Sequence, residues 1–363
     1  MSEESHATIP ASMGPLAGVR IIDLSAVVSG PMAAVMLADQ GAEVIKIEPP
    51  GWGDGVRGLG ASRNGVSAIF TLINRNKKSV GLNLKHPQGR QLAEELIGTA
   101  DVVLQNYRPG KMKRLGLDYE TLKPRFPELI YLSISGMGDV GPYAGQKVYD
   151  YVIQGMSGLL EAQGVQDPYA MVRTIIFDKV TALTAAQAMT AALFARERGA
   201  GGQHIALSML DTAVYFNWAD LMWNQSFEGA GAALAGDLAD LYEVSATRDG
   251  AIVSHQLNGD CSAYSTEELI DLFAANEIPV GRVNRRDDLV NDPQIQAAET
   301  LERFQHPRAG AMIQPRAPAR FGATRHGENR PSPDVGEHTA AVLMDLGYSM
   351  ETLIEWAQEG AIG

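Results

Sequence analysis

Val19–Leu24 (VRIIDL), Pro31–Gln40, Gly41 and Glu43–Glu48 (EVIKIE) decide the fold of this chain. Two short runs rich in Val and Ile read as buried strands. A helix that opens at Pro31 loses nothing by proline's missing N–H, and Gly41 ends it. The alternation continues outward. Ser79–Leu84 (SVGLNL) reads as a third strand and Pro87–Ile97 as the helix after it. Asp101–Gln105 (DVVLQ) is a fourth strand, Glu120–Arg125 a helical stretch and Leu129–Ser135 (LIYLSIS) a fifth strand. Regular alternation predicts a parallel sheet covered on both faces, with right-handed crossovers. Ligands of such sheets bind beyond the carboxyl ends of the strands. The loops after Leu24, Glu48, Gln105 and Ser135 are therefore the places to look for function.

The middle of the chain reads as helical. Val148–Ala162 has apolar residues at helical spacing. Lys179–Arg198 is Ala-rich, has no internal Gly or Pro, and ends on Arg196, Arg198 and Gly199, a good helix stop. His204–Ser208 is a further strand and Met209–Gln225 a helix. Gly229–Gly236 reads as a linker. Tyr242–Ala246 and Ala251–His255 flank Asp249-Gly250, a hairpin signal. Thr266–Asn276 is a helix. Residues 306–333, rich in Pro, Arg and Gly, show no periodicity. Glu337–Leu346 and Met350–Gln358 read as a closing helical pair. The expected domains are 1–228, a large α/β domain; 229–333, a reduced small domain with a return linker; and 334–363, helices that pack back on the large domain.

Composition narrows the function. Hydrophobic residues at 45% and charged residues at 20% suit a globular chain and argue against overall disorder. The 43 acidic and 30 basic residues give a net charge of −13, which disfavours nucleic acid and anionic membrane as general partners. An anionic ligand would need a local cluster of Lys and Arg. The single cysteine, Cys261, allows no intramolecular disulfide, which fits a reducing compartment. Met1–Pro15 lacks the basic and apolar regions of a signal peptide, and no run approaches the ~18 apolar residues of a membrane span. The expected location is cytoplasmic. Cys261 lies in the loop-like Asn258–Ser262, with only His255 nearby, and reads as structural.

Asp178 ends Ile175-Ile176-Phe177-Asp178, directly before the Ala-rich helix. Asp is a favoured helix N-cap, and that is its first reading. The same placement at a helix N-terminus, facing a cleft, would suit a nucleophile or base. Basic segments form the second feature. Arg75, Lys77 and Lys78 precede the third strand, and Lys85 follows it. Arg108, Lys111, Lys113 and Arg114 follow the fourth, and Lys147 lies beyond the fifth. A charge run is usually a solvated face. Several cations at one rim of an acidic protein also suit a polyphosphate. No dinucleotide fingerprint opens a helix after a strand, and there is no P-loop, no nucleophile elbow and no metal-ligand spacing.

Gly14–Ser25, Ser29-Gly30-Pro31, Gly41–Glu48, Asn74–Lys78, Asn106–Gly110, Arg114-Leu115-Gly116 and Ser133–Gly138 together resemble the class III CoA-transferases, and Gly336–Thr339 and Leu346–Tyr348 extend the match. That family includes formyl-CoA transferase, the carnitine and bile-acid CoA-transferases and the related α-methylacyl-CoA racemases. The resemblance implies an α/β fold, a Rossmann-like large domain with a smaller α+β domain, in an interlocked homodimer. It implies acyl-CoA:carboxylate CoA transfer through an aspartyl acyl anhydride and an aspartyl-CoA thioester, with Asp178 as nucleophile. No prosthetic group is implied; acyl-CoA and a carboxylic acid acceptor are the substrates. Val28, Ser29, Leu82, Lys85, Asn106, Tyr107, Arg108, Arg114 and Lys147 match CoA contacts, and Tyr149 matches a tyrosine near the thioester. Racemases carry a His at the position of Tyr149, so Lys147-Val148-Tyr149 favours transfer over racemisation or epimerisation; His255 or Asp150 is an alternative proton donor. The chain departs from the family in three places. Val28 replaces a Gln, Pro49 replaces an arginine near the adenine, and only Val253–Asp260 stands where a Gly-rich lid covers the site. The shortened small domain motivates a third reading, a CoA-binding subunit of a heteromeric transferase.

Overall fold

A computed structural model of the chain describes residues 14–164, 169–255, 259–324 and 329–363. It divides into two units, Met1–Phe216 with Arg303–Gly363, and Asn217–Glu302. In the larger unit β1 (Arg20–Asp23), α1 (Ser29–Ala38) and β2 (Glu43–Glu48) form the unit read from the opening stretch. There follow α2 (Ala68–Asn74), β3 (Lys77–Gly81), α3 (Pro87–Ile97), β4 (Val102–Gln105), α4 (Lys111–Leu115), α5 (Tyr119–Leu122) and β5 (Ile130–Ser135). Next come α6 (Asp150–Met156), α7 (Leu159–Ala162), α8 (Ile176–Ala195), β6 (His204–Ser208) and α9 (Met209–Trp218).

The six strands form one sheet in the order β3-β2-β1-β4-β5-β6, all parallel. Ile22 of β1 lies between Ile45 of β2 and Val103 of β4. The strand order reverses between β1 and β4, where loops leave in opposite directions and open a crevice. The sheet is buried on both faces: Ile21, Ile22, Val102, Val103 and Leu104 have no exposed surface. α1 packs on α8 through small residues, Ala33 and Ala34 on one side and Ala182 and Ala185 on the other. A Cβ on Gly30 would stand 2.3 Å from Ser25 Cβ and Oγ, so only glycine lets α1 start this close to the loop after β1.

Several boundaries differ from the reading of the sequence, each for a local reason. β3 covers Lys77–Gly81 rather than Ser79–Leu84, because Lys77 is a buried strand residue whose charge is paired beneath the sheet. The helix expected over Val148–Ala162 breaks at Ser157-Gly158, where Gly158 has φ 81°. The helix from Met209 ends at Trp218, and only a short turn forms at Trp223–Gln225.

The smaller unit holds the expected hairpin, β7 (Glu243–Ala246) against β8 (Ala251–Ser254). It also contains α10 (Thr266–Ala275), whose first turn is closed by a Ser265/Glu268 capping box. β9 (Val280–Arg282) pairs with β8, and α11 (Pro293–Ala297) follows. Cys261 packs there against Ile252 and Leu269. Gln256, Leu257 and Asn258, the centre of the stretch expected in place of a lid, lie outside the described residues. β10 (Leu301–His306) and β11 (Gly310–Pro315) form a two-stranded sheet partly within the stretch expected to lack periodicity. α12 (Thr339–Asp345) and α13 (Met350–Gln358) return to the sheet. Val342, Leu343 and Leu353 join Leu92 and Leu96 in the core, and Gly363 N donates to Gly81 O at 3.1 Å. Among the described residues no helix is long and apolar enough to cross a membrane.

Candidate active site

The loops after β1, β4 and β5 meet at the point where the strand order reverses. Asn106, just past β4, ties two of them together. Its Oδ1 accepts from Ala26 N at 2.9 Å and its Nδ2 donates to Ala26 O at 2.7 Å. The cleft between the loops has a volume of about 280 Å³. Val27 and Ser29 line it from the first loop, and Asn106, Tyr107 and Arg108 from the second. Ser135, Lys147 and Tyr149 line it from the third segment and Asp178 from α8. A cavity of about 310 Å³ near Arg57, His306 and Arg308 is slightly larger. It lies away from the switch point and from Asp178, so chemistry rather than size selects the site.

Asp178 is not the N-cap that its position in the sequence suggests. α8 begins two residues earlier, at Ile176, and its capping oxygen comes from α6. Asp150 Oδ1 accepts from Phe177 N at 2.7 Å and from Asp178 N at 3.0 Å, and its Oδ2 accepts from Gln154 Nε2 at 2.6 Å. Asp150 thus satisfies the free N–H groups that open a helix, and the Asp178 carboxyl is released into the cleft. Burial pushes that carboxyl up to about 6, and the neighbouring Asp150 charge adds to the rise. Ser29, which lines the same cleft, works in the opposite direction through its hydroxyl and backbone N–H.

The loop after β1 is held from below by charges. Lys77 Nζ meets Asp23 Oδ2 at 2.8 Å, and Lys46 Nζ meets Asp54 Oδ2 at 3.0 Å, all four side chains buried. Burial alone would push the Asp23 carboxyl up, but Lys77 and Lys46 hold it below its ordinary value. Lys46 Nζ also donates to Ser25 O at 2.8 Å, and Ser25 N donates to Asp23 Oδ1 at 2.9 Å. Val27 N donates to both oxygens of Asp54, at 3.1 and 3.2 Å. Val27 has φ 69°. A β-branched residue in the left-handed region is strained by on the order of 1–3 kcal/mol, and such strain persists only where its surroundings enforce it.

Around Tyr107 the site is basic. Lys111 Nζ sits 3.8 Å from the Tyr107 ring centroid. Burial holds the Lys111 ammonium below its ordinary value, and the nearby charges of Lys85 and Arg114 lower it further. Lys85 and Arg114 therefore lie near Lys111. Lys147 Nζ stands 5.1 Å from the ring centroid of Tyr149, which is 44% exposed and stacks on Tyr151.

Of the residues singled out from the sequence, Asp178, Tyr149, Ser29, Asn106, Tyr107, Arg108 and Lys147 come together in one cleft. Lys85 and Arg114 join Lys111 beside it. Val28 does not line the cleft; it is buried against Val56, Phe70 and Ile73, and Val27 takes the lining position. Leu82 is a core residue that bridges to Ile362. Sequence reasoning missed Val27, Asp54 and the capping role of Asp150. The only signal for Asp54 was an Asp ahead of Gly-Val in the Gly-rich loop, and its side chain does cap the short turn at Gly55–Gly58.

The model of CoA-transferase family III matches residues 16–260 and 237–339 of this chain. The chain is 32% identical to the succinate–glutarate CoA-transferase of Agrobacterium fabrum, over 93% of this chain and 97% of that one. It is 31% identical to the succinyl-CoA:glutarate CoA-transferase of Mus musculus, over 95% of this chain and 89% of that one. A solved CAIB/BAIF family protein from Brucella suis superposes with a TM-score of 0.81 at 27% identity, covering 92% of this chain and all of the other.

Proposed function

The chain belongs to CoA-transferase family III, and on that premise we propose that it moves coenzyme A between two carboxylic acids with Asp178 as nucleophile. The observation that carries this reading is the division of labour at the start of α8. Asp150 caps the helix, and the half-buried Asp178 carboxyl is left in the cleft with no capping duty.

The steps follow from a carboxylate in that position. An Asp178 oxygen attacks the thioester carbonyl of the donor, and CoA thiolate leaves, giving a mixed anhydride. The thiolate attacks the Asp178 carbonyl, the donor acid departs as carboxylate, and an aspartyl-CoA thioester remains. The acceptor carboxylate attacks that carbonyl and releases the thiolate again. The thiolate then takes the acceptor acyl group and restores the Asp178 carboxylate. Each step swaps one carboxylate or thiolate for another, so no net proton is needed. The Ser29 N–H and hydroxyl favour the ionised carboxyl, and Tyr149 stands at the same cleft. Asn106, Tyr107 and Arg108 suit the body of CoA, and Lys85, Lys111 and Arg114 suit its phosphates.

The two relatives are named for succinate or succinyl-CoA and glutarate, so succinyl-CoA with glutarate is the first pair to assay. Incubation with acyl-CoA and hydroxylamine or borohydride should leave a mass change on the peptide that carries Asp178. Wild-type turnover by Asp178→Ala, with no adduct at Asp178 in the native protein, would end the proposal. An aspartate pushed up to about 6 is also a competent base. Deuterium wash-in at the α-carbon without an acceptor would instead support racemisation. Assembly as a homodimer is part of the same proposal. Leu183 and Phe194 of α8 and Tyr215 and Phe216 of α9 leave large apolar surface exposed, which suits burial against a second copy. Light scattering that returns a monomer at micromolar concentration would remove this part.

A further inference from the structure

The carboxyl of Asp54 touches Val27 and Lys46, not the Asp178 cleft itself, yet it is built into the site from beneath. It is buried and ion-paired with Lys46, and both its oxygens accept from Val27 N. Val27 is held at φ 69°, two residues before the start of α1. The other polar groups of this loop are tied down as well. Ala26 is clamped on both sides by Asn106, Ser25 O by Lys46, and Val28 O by Met32 N. Val27 O would ordinarily accept from the residue four positions on, but that residue is Pro31, which has no N–H. The left-handed turn at Val27 thus fixes how the chain enters α1, and the first residue of α1 is Ser29, which lines the same cleft as the Asp178 carboxyl.

We propose that Asp54 is a positioning residue for the nucleophile: by holding Val27 in the left-handed region it steers Ser29 onto the Asp178 carboxyl. The line of action runs from the Lys46–Asp54 pair to Val27 N, through the turn into α1, to Ser29 and then Asp178. The inference rests on the reading of Asp178 as nucleophile. It explains why a valine occupies a conformation that glycine would adopt without strain: the loop's geometry is imposed by a buried carboxylate rather than left to the residue's own freedom.

The test compares four variants in the full-length protein, read by the pH profile of kcat/KM for succinyl-CoA with glutarate. Val27→Pro cannot take a positive φ and has no N–H to give Asp54. It should lower kcat tenfold or more and move the acid limb to higher pH, because the carboxyl loses the donors that favour its ionised form. Asp54→Ala should do the same. Val27→Gly, which takes a positive φ freely, should keep the acid limb near its wild-type position. Asp54→Ala/Val27→Gly should recover most of what Asp54→Ala loses. Wild-type profiles and kcat for Val27→Pro or Asp54→Ala would overturn the inference, as would a Val27→Gly as damaged as Val27→Pro. Should Asp54→Ala fail to fold, the Val27→Gly and Val27→Pro pair decides, since both keep the Lys46 and Asp54 side chains of the buried ion pair. Carbon-13 NMR of the Asp178 carboxyl gives the same comparison without turnover. A native protein that forms no Asp178 adduct sinks the nucleophile reading; unshifted Asp178 ionisation across the variants sinks only the role of Asp54.

Discussion

Burial and the Asp150 charge push the Asp178 carboxyl up to about 6 from an ordinary 3.8, so at neutral pH the fold holds a carboxylate that it would accommodate more easily as the acid. Between pH 4 and 6 the folded chain binds more protons at this side chain than the unfolded chain does. Stability from this group is therefore present below pH 4 and lost as pH rises through 6. Asp178→Asn removes the penalty. It should raise unfolding free energy by about 3 kcal/mol at pH 7.5 and by much less at pH 4.5, while cutting turnover at least a thousandfold. Denaturant melts at the two pH values check this, and an equal gain at both would mean the site does not strain its carboxylate. Asp150→Ala reaches the same carboxyl from the other side. It removes a charge that raises Asp178, so the acid limb of kcat/KM should move below 6. It also uncaps α8, at a cost of about 1–2 kcal/mol. Whether Asp178 turns back to serve as the cap is then visible as a loss of kcat beyond that change in pH dependence. None of this could be read from the sequence. An Asp before an Ala-rich run looks like a cap, and the residue that displaces it lies 28 positions earlier and in another helix.

The elements were more legible than the contacts between them. Val19–Leu24 and Glu43–Glu48 predicted strands of a parallel sheet because buried strands are written in local runs of Val and Ile, and β1 pairs with β2 in parallel. β3 was misplaced because its first residues are Lys77 and Lys78, and no local rule expects a fully buried lysine whose partner, Asp23, lies 54 positions away. The β10–β11 pair was missed because its strands carry Arg303, Gln305 and Gln314 in short, partly exposed runs, leaving little apolar alternation to read. The approach of α1 to the β1 loop is likewise a contact between elements. Gly30→Ala would bring a methyl into Ser25, a neighbour fixed by hydrogen bonds to Asp23 and Lys46. It should cost about 1–3 kcal/mol and, by moving the start of α1, lower kcat more than it raises KM. A thermal melt with steady-state kinetics separates the two effects. An unchanged melting temperature would mean that the loop yields more readily than its hydrogen bonds imply.

Across the whole molecule, charge is distributed unevenly in a way that the net value of −13 hides. Several cations of the larger unit are matched: Arg20 and Lys78 share Glu43, Arg75 pairs with Asp39, and Arg57 pairs with Glu48. Lys85, Arg108, Lys111, Arg114 and Lys147 form no ion pair among the described residues. All five lie in or beside one cleft. Gathering like charges without acid partners works against folding, and an acidic protein has carboxylates to spare, so the rim makes sense as one half of a complex with a polyanion. These cations are largely solvated, so each should contribute only about 0.5–1 kcal/mol to CoA binding, or roughly 2- to 5-fold in affinity. Lys111→Gln and Arg114→Gln should each raise KM for acyl-CoA by that factor and leave kcat unchanged, the pattern of a contact made equally in ground and transition states. The effect should fade above about 0.5 M salt as screening removes the charge contribution. Dephospho-CoA thioesters, with less charge to attract, should lose less affinity on the same substitutions. If the two variants lowered kcat at constant KM instead, the rim would be acting on the reacting centre, and the phosphates of CoA would have to lie elsewhere.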